Sequence, residues 1–234
     1  MIVDFGHLAE QTARRYRAAG RFTEGFVRGK LRHDPVYAYL LSNPDWLPRS
    51  GAILDLGCGR GILMSLLSEA RRLDLIPLSN AQFFGIDLRP NDVAAARLAL
   101  GDEAEIAVAD VRSAALPACR AAVLLDLLLY LAADEQEALL ERIADVLPGG
   151  GALVMRETDA GSGLRFQATR TAERLCALAR GHVRQRYHYR SETEWKGLLE
   201  ALGFFVETVP MSEGTPFANV LFIARRRNPS LTAD

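Results

Sequence analysis

Ile53-Leu54-Asp55-Leu56-Gly57-Cys58-Gly59-Arg60-Gly61 is the stretch on which the reading of this chain turns. An apolar run ends in an acidic residue, and three glycines follow at alternating positions. The pattern predicts a strand over Ala52–Leu56, a tight turn, and a helix beginning at Ile62. Glycines at such a turn let a ligand lie against bare backbone, because no Cβ stands in the way. The first N–H groups of the following helix face the same side and favour an anionic or strongly polar group.

The spacing discriminates among ligands. A dinucleotide fingerprint needs a third small residue, and counting from Gly57 or Gly59 that place is taken by Ile62 or Met64. An NAD-dependent oxidoreductase is therefore the weaker alternative. A phosphate loop needs Gly-Lys followed by Ser or Thr, and no lysine is near. What stands here is D-x-G-x-G-x-G, which resembles the first motif of the class I S-adenosylmethionine (SAM) dependent methyltransferases.

Working outward, strands and helices alternate from Gly51 onward, the mark of a parallel sheet with crossover helices. The expected strands are Gln82–Ile86, Glu105–Ala109, Ala121–Leu125, Ala152–Arg156, Phe204–Val209 and Val220–Arg225. Pro90 suits the start of one helix, Asp134 is expected to cap another, and Ser191 with Glu194 forms a capping box for a third. Residues 1–50 read as an N-terminal helical cap, 51–227 as the main α/β domain with an insertion over 157–190, and 228–234 as a tail. The order of elements is similar to the class I methyltransferase fold. That resemblance implies a Rossmann-like seven-stranded, mostly parallel sheet with an antiparallel last strand and helices on both faces.

The same resemblance assigns roles by motif. Gly57, Cys58, Gly59 and Gly61 would cradle the methionine part of SAM, with Asp55 fixing the turn and complementing the cationic cofactor. Asp87, with Leu88 after it, would take the ribose hydroxyls; the alternative for Asp87 is capping the helix at Pro90. Asp110 and the Val111 backbone would take adenine, unless Asp110 is simply a solvated loop residue. Asp126 would lie near the sulfonium with Leu127 behind the cofactor. Asp126, Tyr130 and His188 are the candidates for catalytic contact, while His33, Glu157, His182 and Glu213 are further candidate bases. Lys30 or Arg32 would reach the methionine carboxylate, or else simply end an exposed helix. S-adenosylhomocysteine is the implied product.

Composition bounds the remainder. The chain has 234 residues, 49% apolar and 24% charged, with a net charge of −1, so no global field argues for nucleic acid. The longest apolar run, Ala121 to Ala133, is broken by Asp126 and too short for a membrane span. The N-terminus lacks a basic start followed by an apolar run, and Cys58, Cys119 and Cys176 lack metal-ligand spacing. A cytoplasmic enzyme without a metal is the expectation. Arginines crowd two segments, Arg14 to Arg32 and Arg165 to Arg190, which reads either as compositional bias or as attraction for an acidic carrier protein. The acceptor is accordingly expected to be small or carrier-tethered, aromatic or acyl. A weaker resemblance to bacterial methyltransferases of aryl-polyene or fatty-acid-like biosynthesis rests on Ser212-Glu213-Gly214-Thr215-Pro216 and the tyrosine-rich insertion. A SAM-binding regulatory protein without turnover is the alternative from a non-enzyme class. Oligomeric state is not legible.

Overall fold

A computed structural model describes residues 4–179 and 186–228. Seven strands form one sheet in the order β3-β2-β1-β4-β5-β7-β6. They are β1 (Ser50–Leu56), β2 (Asn80–Asp87), β3 (Ala104–Val108), β4 (Ala121–Leu125), β5 (Ala152–Thr158), β6 (Phe204–Pro210) and β7 (Asn219–Arg226). β1 pairs parallel with β2 and β2 with β3, whereas β7 runs antiparallel to both β5 and β6. The expected antiparallel last strand, inserted between the fifth and sixth, is therefore present. The described helices are α1 (Phe5–Arg14), α2 (Arg21–His33), α3 (Pro35–Ser42), α4 (Ile62–Arg72), α5 (Pro90–Leu100), α6 (Ala133–Val146), α7 (Leu164–Ala179) and α8 (Glu192–Ala201).

The chain divides into two compact units, residues 1–123 and 124–234, with the boundary inside β4. In the first unit the sheet's register sets Asp55 beside Gly85 and Asp87 beside Val108. The core beneath is α4, buried from Ile62 to Ala70. Its packing is close: a Cβ on Gly61 would stand 2.9 Å from Leu100 Cδ1 and 3.1 Å from Ala96 Cβ of α5. Pro90 opens α5 as expected. α1, capped by Asp4, belongs to this unit, and Tyr16 just beyond it is fully buried.

In the second unit β5 is buried at every residue, charged ones included. Its sequence Ala-Leu-Val-Met-Arg-Glu-Thr continues two residues past the expected end at Arg156, so Glu157 belongs to a strand and not to the insertion. The insertion holds α7, and its two ends meet in a bridge between Asp159 and Arg190. Gly161-Ser162-Gly163 is laced rather than loose at its start: the Gly161 N–H donates to Asp159 Oδ1 at 2.8 Å, and the same oxygen accepts the Glu192 N–H. The Ser191–Glu194 capping box forms as expected. The expected cap at Asp134 does not. The cap falls two residues earlier, at Ala132, and Glu135 takes the Ala132 N–H at 2.8 Å, an acidic side chain three residues in doing the work alone.

Candidate functional site

The glycine turn is held by the strand beside it. Gly57 and Cys58 both donate their N–H to Ile86 O, at 2.8 and 3.0 Å. Gly57, Gly59 and Gly61 all have positive φ (70°, 53° and 69°), a conformation that side chains strain against. Gly61 is the N-cap of α4 and supplies no side-chain cap. Cys58 is buried, its thiol packed where a Cβ on Gly85 would touch it, and burial pushes its pKa up. Arg60 fastens the turn outward: Nε meets Asp92 Oδ1 at 2.8 Å and the guanidinium lies 4.4 Å from the Phe26 ring centroid. Tyr16 donates its hydroxyl to Arg60 O at 2.8 Å and pairs with Ser65 Oγ at 2.8 Å.

Under this turn, at the end of β1, sits Asp55. It is 5% exposed and makes no hydrogen bond or ion pair with a described residue. Burial, and secondarily the charge of Asp87, push its pKa up to about 8. A buried carboxylate left this way is costly unless a cation or donor completes it.

Asp87 ends β2 and binds the turn directly. Its Oδ2 accepts the Gly59 N–H and its Oδ1 the Arg89 N–H, both at 2.8 Å. The Gly59 N–H is thus committed to Asp87 and not held open for a ligand. Oδ1 also accepts the Arg89 Nε at 3.4 Å, so Oδ2 is the oxygen with a lone pair to offer a hydroxyl donor. The structure accordingly brings together Asp55, Gly57, Cys58, Gly59, Gly61 and Asp87. Leu88 is largely exposed next to them in sequence. Asp110 follows β3 but faces Arg112, whose N–H and Nε both reach Oδ1 at 3.0 and 2.9 Å, and this guanidinium holds its pKa below the usual carboxylate range. Val111 is buried.

In the second unit, β4 ends at Leu125 and Asp126 takes a left-handed conformation, φ 60°. Two contacts explain why a non-glycine residue sits there. Its N–H donates to Arg156 O at 3.0 Å, and its carboxylate is gripped by the Arg156 guanidinium, with Nε at 2.8 Å from Oδ1 and Nη2 against Oδ2. Arg156 is 2% exposed, so this carboxylate is paired with a buried cation. The pairing holds the Asp126 carboxylate in place. Next, Glu157 Oε1 accepts the Leu128 N–H at 2.7 Å, and the N–H groups of Leu127 and Leu129 also favour its charged form. Desolvation outweighs them and, with Asp126 adding to it, lifts the Glu157 pKa to about 8.

The residues after this turn are stitched to the end of the insertion by one amide. Gln136, fully buried, donates Nε2 to Leu128 O, Leu131 O and His188 O at 3.0, 3.3 and 3.1 Å. Its Oε1 accepts Arg190 Nε at 2.9 Å, and the His188 N–H reaches Leu129 O at 2.9 Å. His188 is thereby placed beside the turn through its backbone, with an exposed side chain. Tyr130 is half exposed, its ring 5.6 Å from Tyr187.

Other expectations fare differently. Lys30 is paired with Asp34 at 2.7 Å, and His33 and Glu213 are exposed. His182, Arg180 and Arg184 lie outside the described residues, as does the tail from residue 229. Much of the first arginine cluster is paired internally: Arg14 and Arg28 with Glu10, Arg15 with Glu69 and Glu103, Arg17 and Arg28 with Glu24. Sequence reasoning passed over Arg156, Gln136 and Glu173. A charged residue inside an otherwise apolar strand pattern was the available signal for Arg156; Gln136 and Glu173 carry none.

No described helix is long and apolar enough to cross a membrane, and no described cluster of His, Cys, Asp or Glu could hold a metal ion.

Comparison with known proteins agrees with this geometry. A family model described as "Methyltransferase domain" matches residues 26–209. A SAM-dependent methyltransferase from Methanosarcina mazei superposes with a TM-score of 0.59 at 20% identity, covering 80% of this chain and 97% of its own. Magnesium protoporphyrin IX methyltransferase from Synechocystis, solved with S-adenosylhomocysteine, gives 0.59 at 18% identity, covering 91% and 93%. An O-methyltransferase family protein from Burkholderia thailandensis gives 0.64 at 18% identity, covering 91% of this chain and 62% of its own. No curated protein matches by sequence. The strand order, the glycine turn between β1 and α4, and the matched family together show that the chain belongs to the class I SAM-dependent methyltransferases.

Proposed function

We propose that this chain binds one SAM and transfers its methyl group to a small acceptor, releasing S-adenosylhomocysteine. The observation that carries the reading is the Asp55 carboxylate, buried beneath three left-handed glycines with no partner of its own. A ligand with an ammonium group beside a narrow backbone cradle supplies the missing cation. SAM, when bound, brings that ammonium and a methyl already activated on a sulfonium.

The chain's own contribution is binding, alignment and exclusion of water. Gly57, Gly59 and Gly61 offer backbone free of Cβ atoms, and the Asp87 carboxylate is proposed to accept from the ribose hydroxyls. Asp110 and Val111 are proposed for the adenine, with Asp110 sharing its carboxylate between the ring amine and Arg112. Asp126 and Leu127 follow directly on β4, and that chain continuity supports them as further cofactor contacts. Tyr130 and His188 are proposed for the acceptor. Internal pairing of the first arginine cluster weighs against a carrier protein and for a free small molecule.

Titration calorimetry tests this. One SAM per chain is expected, and binding near pH 7 should release a proton, because the arriving ammonium draws down the raised pKa of Asp55. Repeating the titration in buffers of different ionisation enthalpy reads that proton, and Asp55→Asn should abolish it. Absence of binding by both SAM and S-adenosylhomocysteine would overturn the reading.

A further inference from the structure

The second unit carries an aromatic cluster that the cofactor reading does not use. Tyr130 follows β4, Phe166 and Glu173 lie on α7, and Tyr187 and Tyr189 lie near the return of the insertion. The Tyr187 ring is 5.6 Å from Tyr130 and 6.1 Å from Tyr189, while Phe166 meets Tyr189 edge-on at 5.1 Å. None of these four rings is fully buried, and Tyr130 is 49% exposed. Aromatic rings gathered from three distant segments and left partly open present stacking surface at little conformational cost.

The cluster is built, not incidental. Gln136 ties the Tyr130 turn to the backbone at His188, between the two tyrosines, and the Tyr187 hydroxyl reaches Glu173 O at 3.5 Å. Glu173 is the polar element. The Tyr189 hydroxyl donates to its Oε2, and no hydrogen bond to its Oε1 comes from a described residue. No described cation pairs with it either. The guanidinium of Arg170, on the same helix, lies over the Phe166 ring at 5.8 Å instead. Arg156 on β5 pairs with Asp126, and the Asp126 charge acts on Glu173 as well.

We propose that Tyr130, Phe166, Tyr187, Tyr189 and Glu173 form the acceptor site, and that it takes a planar aromatic molecule presenting an uncharged or cationic O–H or N–H donor to Glu173. This rests on the methyl-transfer reading for the word acceptor, but the site is defined without it. Stacking against tyrosine faces selects flatness. A half-buried carboxylate with no described cation beside it, among negative ring faces, accepts a donor and repels an anion.

Paired fluorescence titrations with 2-naphthol and 2-naphthoate, the same ring with a hydroxyl donor or a carboxylate, test the proposal on the full chain. Wild-type protein is expected to bind the naphthol at least tenfold more tightly. Glu173→Gln, which keeps shape and the Tyr189 contact, should level the two probes while leaving S-adenosylhomocysteine affinity unchanged by calorimetry. Tyr130→Ala, at a half-exposed ring, should weaken both probes severalfold. Equal binding of the two probes by wild type, or discrimination that survives Glu173→Gln, overturns the proposal. Failure to bind S-adenosylhomocysteine at all would sink the methyl-transfer reading, while the naphthol result would still judge the aromatic site.

Discussion

The two units of this chain build their candidate sites by opposite means. In the first, seven consecutive residues from Asp55 to Gly61 and one carboxylate, Asp87, make nearly the whole arrangement, and most of the contacts are to backbone. In the second, Asp126, Gln136, Arg156, Glu157, Glu173 and Tyr187 come from five segments and meet through side chains. A site made of backbone tolerates change in everything except its glycines and its acid. A site made of dispersed side chains can be retuned one position at a time. The contrast teaches why a shared methyl donor and varied acceptors can live on one fold.

The sharpest way to break the first half of that contrast is Asp87→Ala. It removes the acceptor for the Gly59 and Arg89 N–H groups together with the proposed ribose contact. Charge-assisted bonds of this kind are worth roughly 1.5–3 kcal/mol each, so S-adenosylhomocysteine affinity should fall by about two orders of magnitude. Calorimetry reads it, and a loss below threefold would show that Asp87 only braces the turn.

Gly61→Ala attacks the backbone itself. The new Cβ would stand 2.9 Å from Leu100 Cδ1 at a φ of 69°. Strain and overpacking together should cost about 2–3 kcal/mol, seen as a fall of roughly 5–10 °C in Tm. An unchanged Tm would mean that the close packing of α4 against α5 has slack the structure does not show.

This difference between units also decides what was legible beforehand. The strands, the glycine turn and Asp87 could be read because they depend on period-two patterning, on φ > 0, and on acids at strand ends, all of them local. The boundaries drifted where a buried charge looked like a loop: the expected strand ended at Arg156, yet Glu157 and Thr158 are inside it. Asp134 was misplaced as a cap because Ala132 leaves the capping to Glu135, a device visible only with the turn in view. Glu173 and Gln136 could not be read at all. Their significance lies in partners 16 and 52 residues away, and nothing in a helical pattern distinguishes them from solvated neighbours.

Glu157 sharpens the second half of the contrast through pH. Its carboxyl is raised from 4.5 to about 8 in the folded chain, chiefly by desolvation. Between those values the folded form keeps a proton that the unfolded form has lost. Its contribution to stability is therefore full below about pH 4.5 and is lost as the pH rises towards 8. Glu157→Gln keeps an acceptor for the Leu128 N–H and cannot ionise. The Tm of wild type relative to this variant should fall by a few degrees, about 3, between pH 5 and pH 8. A pH-independent difference would mean that the three backbone donors, not burial, govern the group.

Tyr16→Phe carries the smallest expected effect and asks whether the N-terminal helices are a detachable cap. The Tyr16 hydroxyl donates to Arg60 O, inside the glycine turn, and pairs with Ser65 on α4. Its ring is buried, so phenylalanine fits the same space and only the hydroxyl is lost. Leaving two buried groups short of a partner should cost about 1 kcal/mol of stability. If the contact also holds the turn in its ligand-binding shape, S-adenosylhomocysteine affinity should drop roughly threefold in parallel. A loss of stability with affinity untouched would make the N-terminal segment a lid on the core and confine the cofactor site to the strand, the turn and Asp87.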